Sequence, residues 1–434
     1  MIWVCSPRQH GDTAGASLTG AFMSNAMSRT EFIALMAMLA ATVALSIDAM
    51  LPALPAIGQE LSPDDINRAQ LIITSFVLGM GIGTFFTGPL SDTFGRKPVM
   101  LWGAAIYTAG AIWATQAQGI EGLLAARVLQ GLGAAGPRVV AMAVTRDLHA
   151  GRDMARIVSF IMIVFTIVPA IAPLIGSWLI AWSGWRAVFY MFVVFSAFTA
   201  LWLAVRLPET LAPEHRRPFR FAPLKAALLE VLRHPVVRLS VFVQCLGMGM
   251  LFAVLSSTQQ IFDITFGRAD SFPLWFGAIA VAAASSSFLN AALVVRLGMR
   301  FMVTTMFIAQ ALISAVMIAI ILAASGGLLT TTVYFYLFIF WQFSLFFQAG
   351  MTIGNLNAIA QEPMGHIAGT AASVIAAVST VVAAALAVPV GLLFDGTPLP
   401  LAVAIFILAF AAVVLMRMIA AREEGNASQP APTD

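Results

Sequence analysis

The chain has 434 residues, 60% of them hydrophobic and only 10% charged, with a formal net charge of +3 and a mean hydropathy of +0.92. That balance excludes a water-soluble domain, which could not hide so much apolar surface. The small, scattered charge excludes a basic face interleaved with aromatics of the kind that tracks nucleic acid.

Residues 1–29 are rich in Gly, Ser and Thr and read as a disordered tail without a secretory apolar region, with Met23 and Met27 as alternative starts. Apolar stretches of about 20 residues then recur, the length a helix needs to cross a hydrocarbon layer about 30 Å thick. They predict an all-α polytopic membrane protein with twelve transmembrane helices, at approximately 31–57, 69–90, 98–117, 121–145, 156–182, 186–206, 236–258, 273–295, 301–324, 329–353, 368–394 and 399–420. The polar interruption at 208–235 divides them into a six-helix bundle over 30–207 and a second over 236–420, leaving 421–434 as a disordered tail. Within the interruption, Leu224 to Leu232 has the spacing of a short amphipathic helix lying on the membrane surface, as a plain connector or a lipid-binding segment.

All but five of the 23 Lys and Arg residues fall on the side that also holds both termini; Arg68, Arg186 and Arg268 lie in the opposite loops, and Arg127 and Arg138 inside a span. The positive-inside rule therefore predicts cytoplasmic termini. Cys5 and Cys245, one in the tail and one in a span, suggest neither a disulfide nor a redox role.

In the first span Asp48 is the one carboxylate placed within the membrane, on a face with Ala37, Ala41 and Ala44, and Pro52 and Pro55 break the helix just after it. It is either a functional acid or a structural partner of an arginine. After the second span, Gly88-Pro-Leu-Ser-Asp92-Thr-Phe-Gly95-Arg96-Lys97 reads as a mechanical latch or as a topology-setting basic loop; Gly88 lets helices touch, Gly95 turns the chain, and Asp92 caps the next helix or pairs with a base. A shorter echo, Arg296-Leu-Gly298-Met-Arg300, follows the eighth span and suggests duplication of the halves.

The fourth span carries a polar stripe, Arg127, Gln130, Ala134, Arg138, Ala141 and Thr145, with Gly131, Gly133 and Gly136 for close packing. Arg127 is a counter-ion of Asp48, a substrate contact, or an anchor for backbone carbonyls; Arg138 has the last two readings. Pro169, Pro173 and Gly176 predict a bend in the fifth span. In the second half Gln244, Tyr334, Tyr336, Trp341 and Gln342 are candidates for a neutral cavity lining, or for lipid- and interface-facing positions. The sequence contains no phosphate-binding Gly-rich loop ending in Gly-Lys-Ser/Thr, no His-Glu-x-x-His and no Gly-x-Ser-x-Gly, so neither ATP hydrolysis nor another enzymatic activity is expected, and no metal site is.

The 88–97 loop resembles the signature loop of the major facilitator superfamily. Together with Ser46-Ile-Asp48-Ala-Met-Leu-Pro52, Arg127-Val-Leu-Gln130-Gly131, Thr145-Arg146-Asp147, Val168-Pro169-Ala-Ile-Ala-Pro173-Leu-Ile-Gly176, Gly184-Trp185-Arg186 and Ala368-Gly369-Thr370-Ala371-Ala372-Ser373, it is similar to the Bcr/CflA branch of drug/proton antiporters. The resemblance implies a multi-pass protein of the bacterial inner membrane, monomeric, that exchanges protons for small amphipathic compounds by alternating access. It uses the proton gradient and no cofactor. Asp48 would be the proton and substrate carboxylate, Arg127 its coupling partner, and Asp92, Arg96 and Asp147 a cytoplasmic charge latch. The chain departs from the branch at Ala172 and Ser177, where Gly is usual, and in the extra cation Arg138. A facilitator or symporter of a metabolite on the same fold, and a non-transporting receptor or scaffold, are the alternatives.

Overall fold

A computed structural model describes residues 27–427, leaving out the side chains of 155, 165 and 424–427. The tail expected over 1–29 lies, up to residue 26, outside the described residues, as does 428–434. Among the described residues the structure is helical, with no strand. In chain order the helices are α1 (Arg29–Asp48), α2 (Leu54–Leu61), α3 (Leu71–Phe94), α4 (Arg96–Thr115), α5 (Ile120–Leu148), α6 (Gly151–Ser183), α7 (Arg186–Arg206), α8 (Phe221–Arg233), α9 (Pro235–Gln260), α10 (Phe272–Leu297), α11 (Met299–Ser325), α12 (Thr331–Gln361), α13 (Ala368–Leu392) and α14 (Leu399–Ala427). α1 and α2 together form the first span, so twelve spans return the chain to the end at which it starts. That end is called here the terminal end, and the opposite one the far end.

Two halves, α1–α7 and α9–α14, repeat one packing plan. In the first half α3 and α4 both pack on α5, α1 on α6, and α4 on α7; in the second α10 and α11 pack on α12, α9 on α13, and α11 on α14. The halves meet through α3 against α13 and α10 against α6, two contacts that the same two-fold relation exchanges. The Gly-Arg echo occupies equivalent places: Gly95 (φ 103°) precedes α4 and Gly298 (φ 82°) precedes α11, each in a left-handed conformation that glycine adopts without a Cβ clash.

α5 is the spine of the first half because its glycines bring backbones together. A Cβ on Gly131 would overlap the carbonyl of Phe76 in α3, and one on Gly133 the backbone of Tyr107 in α4, while Gly136 sits 3.2 Å from the Cα of Gly103 by the same measure. With no hydrophobic drive between helices in lipid, such close backbone packing supplies the dispersion contacts that hold them.

Several boundaries differ from expectation. α1 ends at Asp48 and gives way to a 3-10 turn, Leu51–Ala53, because Pro52 and Pro55 cannot donate to the carbonyls four residues earlier. α6 continues as one helix through Pro169 and Pro173, so the expected bend does not interrupt it. α14 extends past residue 420, so 421–427 is helical where a tail was expected; Glu423, in that extension, pairs with Arg300 at 2.6 Å. α8 spans the expected amphipathic segment, burying Leu224, Ala227 and Val231 while Phe221, Leu229 and Leu232 remain exposed.

Candidate functional site

Asp48 closes α1 and is 4% exposed, the only buried carboxylate among the described residues. No described residue donates a hydrogen bond to it or pairs with it. The chain just beyond is held close to α6, since a Cβ on Gly176 would overlap the carbonyl of Ala49. Gly176 thus seats the break in the first span, a role its sequence position suggested only as part of a bent helix.

Arg127 is fully buried on α5 and donates from Nη2 to the Ser46 carbonyl (2.9 Å), from Nη1 to Gln130 Oε1 (2.6 Å) and from Nε to the Ile72 carbonyl (3.3 Å). Its guanidinium carbon lies 4.5 Å from the centre of the Phe76 ring. The direct Asp48–Arg127 pair of the counter-ion reading is not formed. The arginine instead anchors backbone carbonyls, including one two residues before Asp48, and so fixes the helix end that carries the acid.

The polar stripe of α5 divides along its length. Arg127, Gln130, Ala134, Ala141 and Thr145 are buried, whereas Arg138 is exposed and among the described residues hydrogen-bonds only to Met80 Sδ, through Nη1 at 3.4 Å. In the second half Gln244 and Gln342 are buried, and each has an Oε1 without a hydrogen-bond partner; Gln342 Nε2 reaches Thr258 Oγ1 at 3.3 Å. Trp341 is 1% exposed and donates to Ser314 Oγ (3.0 Å), so it packs between helices. Tyr334 lies against Phe266 (5.0 Å between ring centres) near the far end, and Tyr336 is 53% exposed against Trp275. Of this set the two glutamines have free polar capacity inside the protein, while the aromatic residues serve packing and the outer surface.

At the terminal end Arg96, largely buried, gathers the latch residues. It reaches Asp92 Oδ1 (2.5 Å), Asp147 Oδ2 (3.0 Å) and Ser91 Oγ (2.7 Å), tying the ends of α3 and α5 to the start of α4. Asp92 therefore pairs and does not cap. The cap is Glu209, which sequence reading passed over: its carboxylate accepts from the backbone N–H groups of Arg96 (2.9 Å) and Lys97 (3.1 Å), the first donors of α4. Gly95 leaves room for it, since a Cβ there would lie 2.5 Å from Glu209 Oε2. Lys97 Nζ donates to the Ala204 carbonyl (2.7 Å). Gly88 brings α3 to α13, with Ser373 Oγ 3.0 Å from its would-be Cβ.

A second cluster of the same design was missed. Arg300 at the start of α11 pairs with Glu362 just after α12 (3.2 Å) and with Glu423 of α14 (2.6 Å), mirroring Arg96 and Asp147. The Gly298-Met-Arg300 echo was the available signal, but its acidic partners lie 62 and 123 residues away in sequence.

The far end is shut by polar contacts between the halves. Asn67 donates to the carbonyls of Leu392 (3.2 Å) and Phe394 (2.8 Å), Gln260 donates to Asn67 Oδ1 (2.7 Å), Ser257 to Gln70 Oε1 (2.9 Å), and Gln70 also bonds Gln260. At about 1 kcal/mol net each, such neutral hydrogen bonds make a closure that can be reversed. The three arginines at this end are all engaged: Arg68 with Glu121 (2.6 Å), Arg186 with Glu60 (2.7 Å), and Arg268 over the Phe335 ring (4.4 Å).

Comparison with known proteins agrees with this architecture. The D-xylose-proton symporter aligns with a TM-score of 0.70 at 14% identity, covering 90% of this chain and 97% of its own, and the nucleoside transporter NupG with 0.66 at 14%, covering 89% and 99%. In sequence the chain is 29% identical to a bicyclomycin resistance protein homolog of Haemophilus influenzae over 64% of this chain and 69% of the relative. It is 35% identical to a chloramphenicol resistance protein of Pseudomonas aeruginosa over 33% and 35%, and 28% identical to multidrug resistance protein D of Escherichia coli over 58% and 66%. These matches thus span from about a third to about two thirds of the relatives' lengths. The family profile described as Major Facilitator Superfamily matches residues 36–388, which contain the break in the first span, the Arg96 cluster and the Asn67, Gln70, Ser257 and Gln260 side chains of the far-end closure. A twelve-span protein of two repeated bundles with that match is a transporter, and this chain belongs to the Major Facilitator Superfamily.

Proposed function

We propose that the chain exports small amphipathic compounds across the bacterial inner membrane in exchange for protons, with both termini in the cytoplasm and no cofactor beyond the proton gradient. The observation that carries the reading is Asp48: a buried carboxylate without a protein partner, at the break of a membrane helix, beside an interface closed at one end. Ion pairs occupy the other acids of the first half's helices, including Glu31 with Arg206 and Glu60 with Arg186. Only Asp48 is left able to exchange a proton for another partner. Burial and a nearby cation act in opposite senses on such a group, so a change of access alters its proton affinity.

The far-end closure and the Arg96 and Arg300 clusters support alternating access, because each joins elements that must part or slide when the halves rock. The drug-resistance relatives support outward movement of foreign compounds as the task. Purified protein in proteoliposomes, loaded with an amphipathic dye and tested with and without an imposed pH gradient, decides the matter. Uphill movement against the proton flow is expected. Transport indifferent to the gradient would indicate facilitation, and dye movement in the same direction as the protons would indicate symport.

A further inference from the structure

Two arginines lie inside the α5 span, and their surroundings are opposite. Arg127 has three oxygen acceptors and an aromatic face, which meet most of what a guanidinium with five N–H donors requires. Arg138 has a methionine sulfur, a weak acceptor, and no other hydrogen bond or ion pair to a described residue. An unpaired cation at membrane depth costs at least a few kcal/mol unless it faces water or a ligand, so its exposure identifies a wet space.

The direction of that space follows from its neighbours. Arg138 Nη1 lies on Met80 of α3, and the next residue, Gly81, faces Val381 of α13 across the seam between the halves, with Val381 Cγ2 2.8 Å from its would-be Cβ. Arg138 and Met142, the latter 37% exposed, stand one turn apart beside a seam whose far end is shut by the Asn67, Gln70 and Gln260 contacts. Arg138 stands eleven residues from Arg127, about 16 Å along the helix, and so lies well below the level of Asp48. No acid offsets it from across the interface: α9, α12 and α13 contain no Asp or Glu.

We infer that Arg138 is the anion-recognising residue of the transport cavity, so that favoured substrates carry a carboxylate or similar anionic group on an apolar body. This rests on the proposed transport function and narrows its substrate class. A guanidinium meets a carboxylate through two parallel hydrogen bonds, and in a partly desolvated cavity such a pair discriminates strongly against the neutral analogue.

The test uses dansyl-phenylalanine and its amide, two fluorescent probes that differ in the carboxylate alone, binding to the purified full chain without any gradient. The wild type should bind the acid more tightly than the amide. Arg138→Gln should lower the acid-to-amide affinity ratio at least about tenfold, and Arg138→Lys should restore part of it. Met142→Glu, one turn away, should lower the ratio with Arg138 still in place, which guards against a variant that simply misfolds. A wild type that binds the amide as well as the acid, or binds neither, overturns the inference, as does an unchanged ratio in Arg138→Gln. Because no gradient is involved, absent pH-driven flux in vesicles would count against the exporter reading alone.

Discussion

Replacing Asp48 by Asn tests the coupling mechanism with little structural disturbance, because the two side chains are nearly isosteric and the carboxylate has no partner to lose. Removing an isolated buried acid deletes a desolvation cost, so thermal stability should be held or raised. Since Asp48 is the only buried carboxylate among the described residues, one proton should cross per cycle. A pH step of one unit supplies about 1.36 kcal/mol per proton, so the wild type should accumulate a neutral compound about tenfold with no membrane potential. A potential of 100 mV adds about 2.3 kcal/mol for the net charge moved, a further factor of about fifty. A monocation exchanged one for one would move no net charge and feel only the pH step. In Asp48→Asn the accumulation ratio of the neutral compound should fall to one under all these gradients, while binding loses its pH dependence. The assay is steady-state accumulation in vesicles with the pH step and potential set separately. Full accumulation by the variant would refute the assignment and direct attention to Asp263, a half-buried acid beside the far-end closure, since Glu362 is paired with Arg300 and Asp395 accepts from Thr397.

Asp92→Asn should slow transport several-fold while leaving probe affinity largely intact, because it removes the negative charge from one of the three side-chain acceptors of Arg96 at a distance from the cavity; loss of binding with normal turnover would contradict the latch. Glu209→Ala exposes the first two donors of α4 and should cost about 1 kcal/mol, read as a lower Tm, with Glu209→Gln intermediate. Gly131→Val puts side-chain atoms where the Phe76 carbonyl lies and should cost about 1–3 kcal/mol or abolish folding, whereas Gly122→Val, with nothing within 4 Å, should be tolerated; equal melting temperatures would refute the packing account. Reporter fusions in the 208–235 segment should report the same side as the termini, and a fusion reporting the opposite side would overturn the topology.

Composition and spacing alone determined the number of spans, their division at 208–235 and the isolation of Asp48, because lipid forces each crossing segment to satisfy its own backbone and to keep charge rare. Local chemistry was legible for the same reason: Pro52 and Pro55 fixed where the first helix breaks, and Gly131 and Gly133 where helices approach. What the sequence left open were the partners. Arg127 is a counter-ion or a carbonyl anchor depending on which atoms of α1 and α3 stand beside it, and only the packing places the Ser46 and Ile72 carbonyls there, with Asp48 beyond its hydrogen bonds. Glu209 and Glu362 looked like loop acids, since the groups they bind lie 113 and 62 residues away in the chain. Arg138 and Arg127 share one face of one helix, so no periodicity separates them; α1, α3 and Phe189 of α7 close over Arg127, whereas Arg138 meets among the described residues only the Met80 sulfur as a hydrogen-bond partner and stays exposed.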